Sequence, residues 1–308
     1  MNYLNDLKSI VSGNLLENEP MSKHTTYGVG GPVTAFINPK DSYDLAKILQ
    51  YSNKKSIPTY FIGSGSNLLI ADQGIDGIVL SPAKSLKKLE IKKNLIFAES
   101  GVMLGKMVKE SIKNNLTGLE SLIGVPGTLG GALSMNAGAF GEEISNYLQS
   151  VQVMNMNGII KEYKHNEINF SYRFSDFKEN EFILNAQFKL KHDTSFKINK
   201  KRKITSQNRK SSQPLKFRSA GSVFKNDKKY SAGFLIDQSG LKGTRFGDAE
   251  ISPIHANFFI NHGNAKSSDI LKLISIARKK VFNKYKIFLE LEIKIIGFKN
   301  KELRALNV

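Results

Sequence analysis

The chain of 308 residues contains no cysteine and no tryptophan. Without cysteine it can have no disulfide, no thiolate-ligated zinc or iron–sulfur site and no cysteine nucleophile. Its first residues lack the basic and apolar regions of a signal peptide, and the longest charge-free stretch, 121–141, is interrupted by six glycines and a proline. We therefore expect a cytoplasmic protein without a membrane span, and the length favours two or three domains.

Acidic residues are also scarce, because 27 Asp and Glu stand against 45 Lys and Arg and give a formal charge of +18. Most of the basic residues are lysines, and their spread through the chain is typical of a compositional bias. Residues 197–229, however, contain twelve Lys or Arg and one Asp, which favours an anionic ligand or a solvated basic helix. A nucleic-acid-binding protein is one alternative, but the chain has no RNP or zinc-finger pattern, so we expect no nucleic-acid partner.

The hydrophobic pattern alternates between helical and extended spacing. Asp41 can cap one helix, Ser267 or Ser268 can cap another, and Asn157-Gly158 is typical of a hairpin turn. The same spacing predicts a helix over 104–112 and strands over 59–63, 95–99, 184–190 and 289–295. This order indicates a mixed α+β protein with breaks near residues 83 and 195.

Three glycine-rich clusters lie at 27–32, 63–67 and 124–131, and the last continues into 136–139. Glycine allows a positive φ and lets backbone N–H groups converge on phosphate oxygens. Leu68 stands where a Rossmann fingerprint needs glycine, and no cluster has the Gly-Lys-Ser/Thr of a P-loop. One cluster alone could be a tight turn between strands, but the second and third together predict a diphosphate cradle made of two loops.

The second and third clusters resemble the FAD-binding region of the UDP-N-acetylenolpyruvoylglucosamine reductase family, and the resemblance extends from Thr25 to Gly297. It implies an α+β fold in which an FAD-binding fold of the vanillyl-alcohol-oxidase (PCMH) type precedes a C-terminal α+β substrate-binding domain. The implied FAD-binding residues are Gly63, Ser64, Gly65, Ser66, Asn67, Leu68, Pro126, Gly127, Thr128, Gly131, Asn136, Gly138 and Ala139.

The resemblance also implies a division of the chain. We expect residues 1–83 and 84–195 to form two FAD-binding subdomains. Residues 196–298 would form the substrate-binding domain, with the last strand returning to the active site, and residues 299–308 would form a tail.

The family's reaction implies NADPH as co-substrate and a UDP-sugar as substrate. Through FAD, the enolpyruvyl group of UDP-N-acetylglucosamine enolpyruvate is reduced to give UDP-N-acetylmuramate for peptidoglycan precursors. By resemblance, Arg173 holds the substrate carboxylate and Ser222 donates the proton. The terminal Glu-Ile-Lys segment selects Glu292 as the catalytic carboxylate, whereas periodicity alone cannot choose between it and Glu290. The residues alone would also fit a surface arginine, a serine bonded to its own backbone and a solvated strand face.

Further features of the chain bear on the substrate site. The connection between Arg173 and Ser222 spans only 49 positions, as in the shorter class of the family, which lacks a Tyr-bearing insertion. Asp248 replaces a glycine that is usual in the family, and a side chain there would resist a positive φ. The residues implied to contact the sugar-nucleotide are Arg209, Lys210, Lys225 and Asn226.

We expect no metal, because hydride transfer through FAD needs none. The five histidines form no ligand spacing; they are His24, His165, His192, His255 and His262.

We also expect a monomer. The alternative enzyme is another FAD-dependent oxidoreductase of the same fold that acts on a small hydroxy acid or sugar, and it would lack the combination of Arg173, Ser222 and Glu292.

Overall fold

The computed structural model describes residues 3–304 and 306. They form two compact units that alternate along the chain. The first contains the described residues up to Glu17 with Ala35–Ser64 and Gly77–Asn208, and the second contains Asn18–Thr34, Gly65–Asp76 and the described residues from Arg209 onward. The division into two FAD-binding subdomains, a substrate domain and a tail stays a prediction.

Runs of several strands are separated by single helices, as expected for an α+β protein. The α-helices of the described residues are α1 (Tyr3–Ile10), α2 (Ser42–Lys54), α3 (Leu104–Lys113), α4 (Leu129–Ser134), α5 (Ser195–Ser212), α6 (Ala232–Gln238), α7 (Ser267–Tyr285) and α8 (Asn300–Arg304). The strands are β1 (Asn14–Pro20), β2 (Pro32–Asn38), β3 (Thr59–Phe61), β4 (Leu68–Ile70), β5 (Ile75–Leu80), β6 (Leu89–Lys92), β7 (Leu95–Glu99), β8 (Leu116–Thr117), β9 (Gly138–Ala139), β10 (Glu142–Glu143), β11 (Leu148–Asn155), β12 (Ile160–Lys164), β13 (Phe170–Ser171), β14 (Phe174–Ser175), β15 (Glu181–Lys189), β16 (Lys191–His192), β17 (Arg245–Phe246), β18 (Ala249–Ile251), β19 (Phe259–Asn261) and β20 (Lys294–Ile296).

The largest sheet of the first unit is antiparallel, with the order β12-β11-β15-β7-β6. Its central strand β15 has the predicted alternation, since Ala186 and Phe188 are fully buried while Gln187 and Lys189 are exposed. The β11–β12 hairpin turns around Asn157-Gly158 as predicted. Helices α3 and α4 contribute buried side chains to the same core, and this places the loop between α3 and α4 beside the sheet.

A second sheet has the order β1-β2-β5-β3, with β3 and β5 parallel. Helix α2 begins at the predicted cap, where the Asp41 carboxylate accepts a hydrogen bond from the Asp44 N–H at 2.9 Å. Leu45, Ile48 and Leu49 of α2 are fully buried in a core with residues from β2 and β5. The predicted helix and its apolar face are confirmed.

Helix α7 lies in the core of the second unit, beside the three-stranded sheet β17-β18-β19. The prediction that Ser267 or Ser268 caps this helix is wrong, because both residues lie inside its first turn. Their N–H groups donate instead to the carboxylate of Asp72, at 2.8 and 3.1 Å. Within the helix, Asp269 accepts the N–H of the N-cap residue Lys266 at 2.9 Å. The acceptor for the next two N–H groups comes from almost two hundred positions away, which no local sequence pattern reveals.

The last predicted strand is much shorter than expected. Only β20 is regular, and it pairs in parallel with β4. Before it, Leu291 makes an isolated bridge with Phe224, and the Glu290 carbonyl accepts a hydrogen bond from the Lys225 N–H at 2.8 Å. Alternating side chains therefore occur here without a continuous ladder, because this backbone bonds to a loop.

The positive φ near position 248 falls on Gly247, with φ = 54°. Asp248 accepts a hydrogen bond from the Asn264 N–H at 2.8 Å, and its carbonyl accepts one from the His262 N–H at 3.0 Å. The aspartate therefore fits this loop without the left-handed conformation that it would resist.

Removing the distant cap of α7 should destabilise the second unit. Asp72→Ala leaves two N–H groups and the Ser268 hydroxyl without their acceptor, so we expect a loss of about 1–2 kcal/mol in the free energy of unfolding. Urea denaturation followed by circular dichroism measures it. Ser268→Ala, which removes one of the three bonds, is the matched control and should cost less. Equal losses in the two variants would contradict the assignment of Asp72 as the cap.

Candidate active site

The first unit contains the beginning of the second glycine cluster and the whole of the third. The Gly63 carbonyl accepts a hydrogen bond from the Ser81 hydroxyl at 3.0 Å. A Cβ at position 63 would overlap the Thr128 hydroxyl, so the two segments are in direct contact. Glycine is required at position 63 because Thr128 occupies the space that a side chain would need. The two loops predicted to hold a diphosphate therefore meet here.

Several hydroxyl groups around these loops are buried without a hydrogen-bond partner among the described residues. They include the hydroxyls of Ser64, Ser100, Ser121 and Thr128. Buried polar groups in native proteins are nearly always hydrogen-bonded, so a cluster of unpartnered hydroxyls indicates that a polar ligand completes the site. Phosphate, ribityl and flavin groups of FAD offer suitable partners, and the residues present fit that cofactor.

The other predicted FAD-binding residues of the third cluster are Pro126, Gly127 and Gly131, which have short or cyclic side chains or none. The Gly127 carbonyl accepts the Leu104 N–H at 2.9 Å, and Gly127 has φ = 138°. Pro126 precedes it, and Gly131 lies in α4. The charge-free stretch 121–141 contains a helix of six residues, α4.

The end of the second glycine cluster belongs to the second unit. Gly65 has φ = 67°, and a Cβ there would overlap the carbonyl of His24. Asn67 donates from Nδ2 to the Glu292 carbonyl at 3.0 Å, and its own carbonyl accepts the Lys294 N–H at 2.9 Å. Ser66 lies between them, and Leu68 begins β4. In this unit the predicted FAD loop is therefore tied to the segment that carries Glu292.

Asn136, predicted as an FAD contact, is fully buried at φ = 42°. Its Nδ2 donates to the Glu143 carboxylate at 2.6 Å and to the Ser171 carbonyl at 3.0 Å. Gly138 and Ala139 form β9, which pairs with the strand that carries Glu143. The amide therefore joins two hairpins of the protein, and its role as an FAD contact stays a prediction.

Arg173 lies in the two-residue turn between β13 and β14, at φ = 55°. A residue other than glycine in this region costs about 1–2 kcal/mol, so the surrounding structure must hold the turn. The guanidinium donates from Nη2 to the Gly138 carbonyl at 3.0 Å and lies 4.9 Å from the centre of the Tyr172 ring. Asn136 bonds to the residue just before this turn. The guanidinium of Arg173 is thus held in position by the protein itself, beside the third glycine cluster.

Ser222 belongs to the second unit and lies opposite Phe258 in an isolated bridge. The next residues are fixed by Asn257, which is almost completely buried. Its Oδ1 accepts the Phe224 N–H at 2.9 Å, its Nδ2 donates to the Phe224 carbonyl at 2.8 Å, and its own carbonyl accepts the Val223 N–H at 2.8 Å. The motifs that select Arg173, Ser222 and Glu292 do not select Asn257, although it stands in a His255-Ala256-Asn257 segment that also occurs in the family.

The structure brings Glu292 and Ser222 onto adjacent segments of the second unit. The Glu292 N–H donates to the Val223 carbonyl at 2.8 Å. Glu290 differs from Glu292, because its carboxylate is mostly exposed and pairs with the Lys225 ammonium at 2.6 Å. Glu290 is exposed, whereas Glu292 is half-buried, and the choice of Glu292 as the catalytic carboxylate stays a prediction.

The predicted substrate-binding residues of this unit have different environments. Asn226 accepts the Ala232 N–H at 3.0 Å from the start of α6, and Lys210 is exposed. Arg209 donates to the Gln213 amide at 3.3 Å, and burial lowers the pKa of its guanidinium. Burial also lowers the pKa of His255, whose Nδ1 accepts the Asn257 N–H at 3.3 Å. A neutral imidazole is therefore part of the support for Asn257.

Two protein-family models match the chain. One, described as an FAD binding domain, matches residues 33–164, and one, described as the C-terminal domain of UDP-N-acetylenolpyruvoylglucosamine reductase, matches residues 213–296. The UDP-N-acetylenolpyruvoylglucosamine reductase of Clostridium tetani is 40% identical over 303 residues, which cover 96% of this chain and 98% of that protein. The chain belongs to the UDP-N-acetylenolpyruvoylglucosamine reductase family. The enzyme of that name from Clostridium kluyveri is 41% identical over 280 residues, 91% of this chain and 92% of its own.

A solved member of the reductase family has a similar fold. The crystal structure of UDP-N-acetylenolpyruvylglucosamine reductase (MurB) from Thermus caldophilus matches with a TM-score of 0.79 at 32% identity, covering 92% of this chain and 99% of that one. The predicted α+β class and FAD-dependent oxidoreductase are therefore confirmed. Among the described residues no helix is long and apolar enough to cross a membrane, and no cluster of acidic and histidine side chains could hold a metal ion.

A negative charge introduced at the buried position of Asn136 should destabilise the protein. Asn136→Asp places a carboxylate against Glu143 and the Ser171 carbonyl, so we expect a loss of about 3 kcal/mol in the free energy of unfolding at pH 7. One carboxyl of the new pair has its pKa raised by the other in the folded state. The deficit should therefore shrink as the pH falls and that group binds a proton.

Urea unfolding at pH 7 and pH 5 measures this effect. Glu143→Gln keeps an acceptor for Asn136 and is the matched control, with an expected cost below about 1 kcal/mol. An Asn136→Asp variant as stable as Glu143→Gln at pH 7 would show that the amide does not hold the two hairpins together.

Proposed function

We propose that this chain reduces the enolpyruvyl group of UDP-N-acetylglucosamine enolpyruvate to UDP-N-acetylmuramate, the reduction step in peptidoglycan precursor synthesis, with FAD as cofactor and NADPH as co-substrate. The observation that carries the proposal is the match to relatives of that name over almost the whole chain. The arrangement of Arg173, Ser222 and Glu292 in their respective units supports it. The presence of all three also favours this substrate over a small hydroxy acid or sugar.

The FAD would be held by the residues around the two glycine-rich loops. Gly63, Ser64 and Thr128 offer close backbone approach and unpartnered hydroxyls in the first unit, and Gly65–Leu68 offers a loop in the second. When bound, FAD supplies the hydride for the substrate after receiving one from NADPH. The protein must then orient the substrate and supply one proton.

Arg173 would hold the substrate carboxylate. Hydride addition to the β-carbon of the enolpyruvyl group places negative charge on the adjacent carbon and its carboxylate, and a fixed guanidinium stabilises that charge. The turn conformation and the bond to the Gly138 carbonyl restrict Arg173 before the substrate arrives. Little reorganisation would therefore accompany the reaction.

Ser222 would donate the proton to the carbon that carries the negative charge, with Glu292 assisting. A free hydroxyl is a weak acid, so it works only when it is held beside the developing carbanion. Asn257 fixes the backbone on one side of this segment, and the bond from Glu292 to Val223 fixes it on the other. The hydride and this proton together convert the C=C double bond to a C–C single bond with one new C–H bond on each carbon, and water returns a proton to the serine.

The exposed Lys225–Glu290 ion pair would open to admit the sugar-nucleotide. Such pairs contribute little to stability, so Lys225 can exchange the carboxylate for a substrate phosphate. Arg209, Lys210 and Asn226 would contact the same ligand. We also propose that the protein acts as a monomer in the cytoplasm, where UDP-sugars and NADPH occur. The matched ranges 33–164 and 213–296 support a division between FAD-binding and substrate-binding parts near residue 195.

The two half-reactions test the proposed function. We expect NADPH to bleach the flavin absorbance of the anaerobic FAD-loaded protein, and the enolpyruvyl UDP-sugar to restore it. Stopped-flow absorbance measures both steps, and UDP-N-acetylglucosamine without the enolpyruvyl group is the control. A reduced flavin that persists after the substrate is added would contradict the substrate assignment.

Ser222→Ala should separate the two half-reactions. The bleaching by NADPH should be unchanged, whereas reoxidation by substrate should slow by about 10²–10⁴-fold, because the proton donor is lost. The same stopped-flow measurement applies. Ser239→Ala removes a hydroxyl that donates to the Leu235 carbonyl in α6; it is the control and should change neither rate. If Ser222→Ala reoxidises as fast as Ser239→Ala, another group donates the proton.

A further inference from the structure

The first glycine cluster, 27–32, has no role in the site described above. Within it Gly28 has φ = 69°. A Cβ at this position would lie 2.9 Å from Cδ and 3.2 Å from Cζ of Arg218, and would overlap Nη1. The side chain of Arg218 therefore lies against the Gly28 backbone, in a position from which a Cβ would displace it.

Arg218 is an exposed cation with no side-chain partner among the described residues. Other arginines of this unit are engaged, since Arg245 pairs with the Glu250 carboxylate at 3.1 Å and Arg278 donates to two backbone carbonyls. A guanidinium without an ion-pair partner in the part of the chain that the structure describes can offer its N–H groups to an external anion.

The backbone around Arg218 is held in place by one buried side chain. The Arg218 carbonyl accepts the Asn261 N–H at 2.9 Å, and Asn261 donates from Nδ2 to the Tyr27 carbonyl at 2.8 Å. Because Tyr27 precedes Gly28, the same asparagine fixes both sides of the Arg218–Gly28 contact. The guanidinium therefore extends from a rigid base.

The surroundings point to a phosphate ligand. Two residues before Gly28, the Thr26 N–H donates to the carbonyl of Gly65 at 3.2 Å, in the predicted FAD loop. The Thr26 hydroxyl is buried without a hydrogen-bond partner among the described residues. On the other side, Arg218 and Ser222 lie opposite Asn261 and Phe258 in two isolated bridges, four positions apart along one segment. Arg218 thus lies between a glycine loop and the proposed proton donor.

We propose that Arg218 binds a phosphate of a diphosphate ligand, with the Thr26 hydroxyl as a second donor. The planar guanidinium matches phosphate oxygens in a bidentate manner, and its location in the basic segment 197–229 adds favourable potential. The identity of the ligand rests on the proposed function, which supplies two diphosphates, FAD and the UDP-sugar. The tests below distinguish these two sources.

Arg218→Gln in the FAD-loaded protein tests the contact. One measurement follows FAD release after dilution by its fluorescence, and another follows UDP-sugar binding by perturbation of the flavin absorbance. We expect a weakening of about 10-fold or more in one of them, as for the loss of a charge-assisted hydrogen bond. Faster FAD release would assign the contact to FAD, and weaker UDP-sugar binding would assign it to the substrate. Arg218→Lys should weaken the same measurement less, because it keeps the charge without the planar fork.

The control is Arg245→Gln, which removes an arginine that already has an acidic partner and should change neither measurement. Gly28→Ala should weaken binding of the same ligand, since the new methyl group displaces the guanidinium. Combined with Arg218→Gln it should add little, because the contact is already lost. If Arg218→Gln leaves both measurements at the level of Arg245→Gln, the proposal is wrong. The FAD measurement does not depend on the UDP-sugar being the true substrate, so failure of the proposed function would appear separately.

Discussion

The side-chain amide of Asn257 bonds to both the N–H and the carbonyl of Phe224, and the site in the second unit depends on this pair of bonds. The segment from Ser222 to Lys225 is not a regular strand, yet its backbone groups are bonded on two sides. Asn257 serves one side, and the backbone of Glu290 and Glu292 serves the other. A side chain thus supplies the pairing that a sheet neighbour normally provides, and this frees the segment to present Ser222.

The same device recurs at the other irregular segments. Asn136 joins two hairpins beside Arg173, and Asn261 joins the segments of Tyr27 and Arg218. Functional residues tend to lie on loops, whose backbone N–H and carbonyl groups lack the partners that helices and sheets supply. An asparagine amide offers one donor group and one acceptor on a short, stiff side chain. Buried asparagines therefore let this protein place charged and hydroxyl groups on non-repetitive backbone.

Sequence patterns predicted what depends on neighbours within a turn or a strand. The cap of α2 at Asp41, the β11–β12 hairpin and the buried face of β15 are all confirmed, because each follows from local spacing. The cap of α7 could not be predicted, since Asp72 and Ser267 meet only in the folded chain. Likewise, nothing in the alternation of residues 289–295 reveals that their backbone bonds to a loop. For the site, motif resemblance supplied the candidate residues, whereas the amides that hold them became visible only through their partners.

The alternation of the two units has a consequence for synthesis on the ribosome. Strand β4 pairs in parallel with β20, more than two hundred residues later, so its partner is translated long after it. Until then the segments 18–34 and 65–76, which belong to the second unit, lack most of the core against which they fold. Contacts between such distant residues form slowly, and exposed apolar segments are prone to aggregate while they wait. These two segments therefore stay without most of their native contacts for as long as the residues between β4 and β20 are being translated.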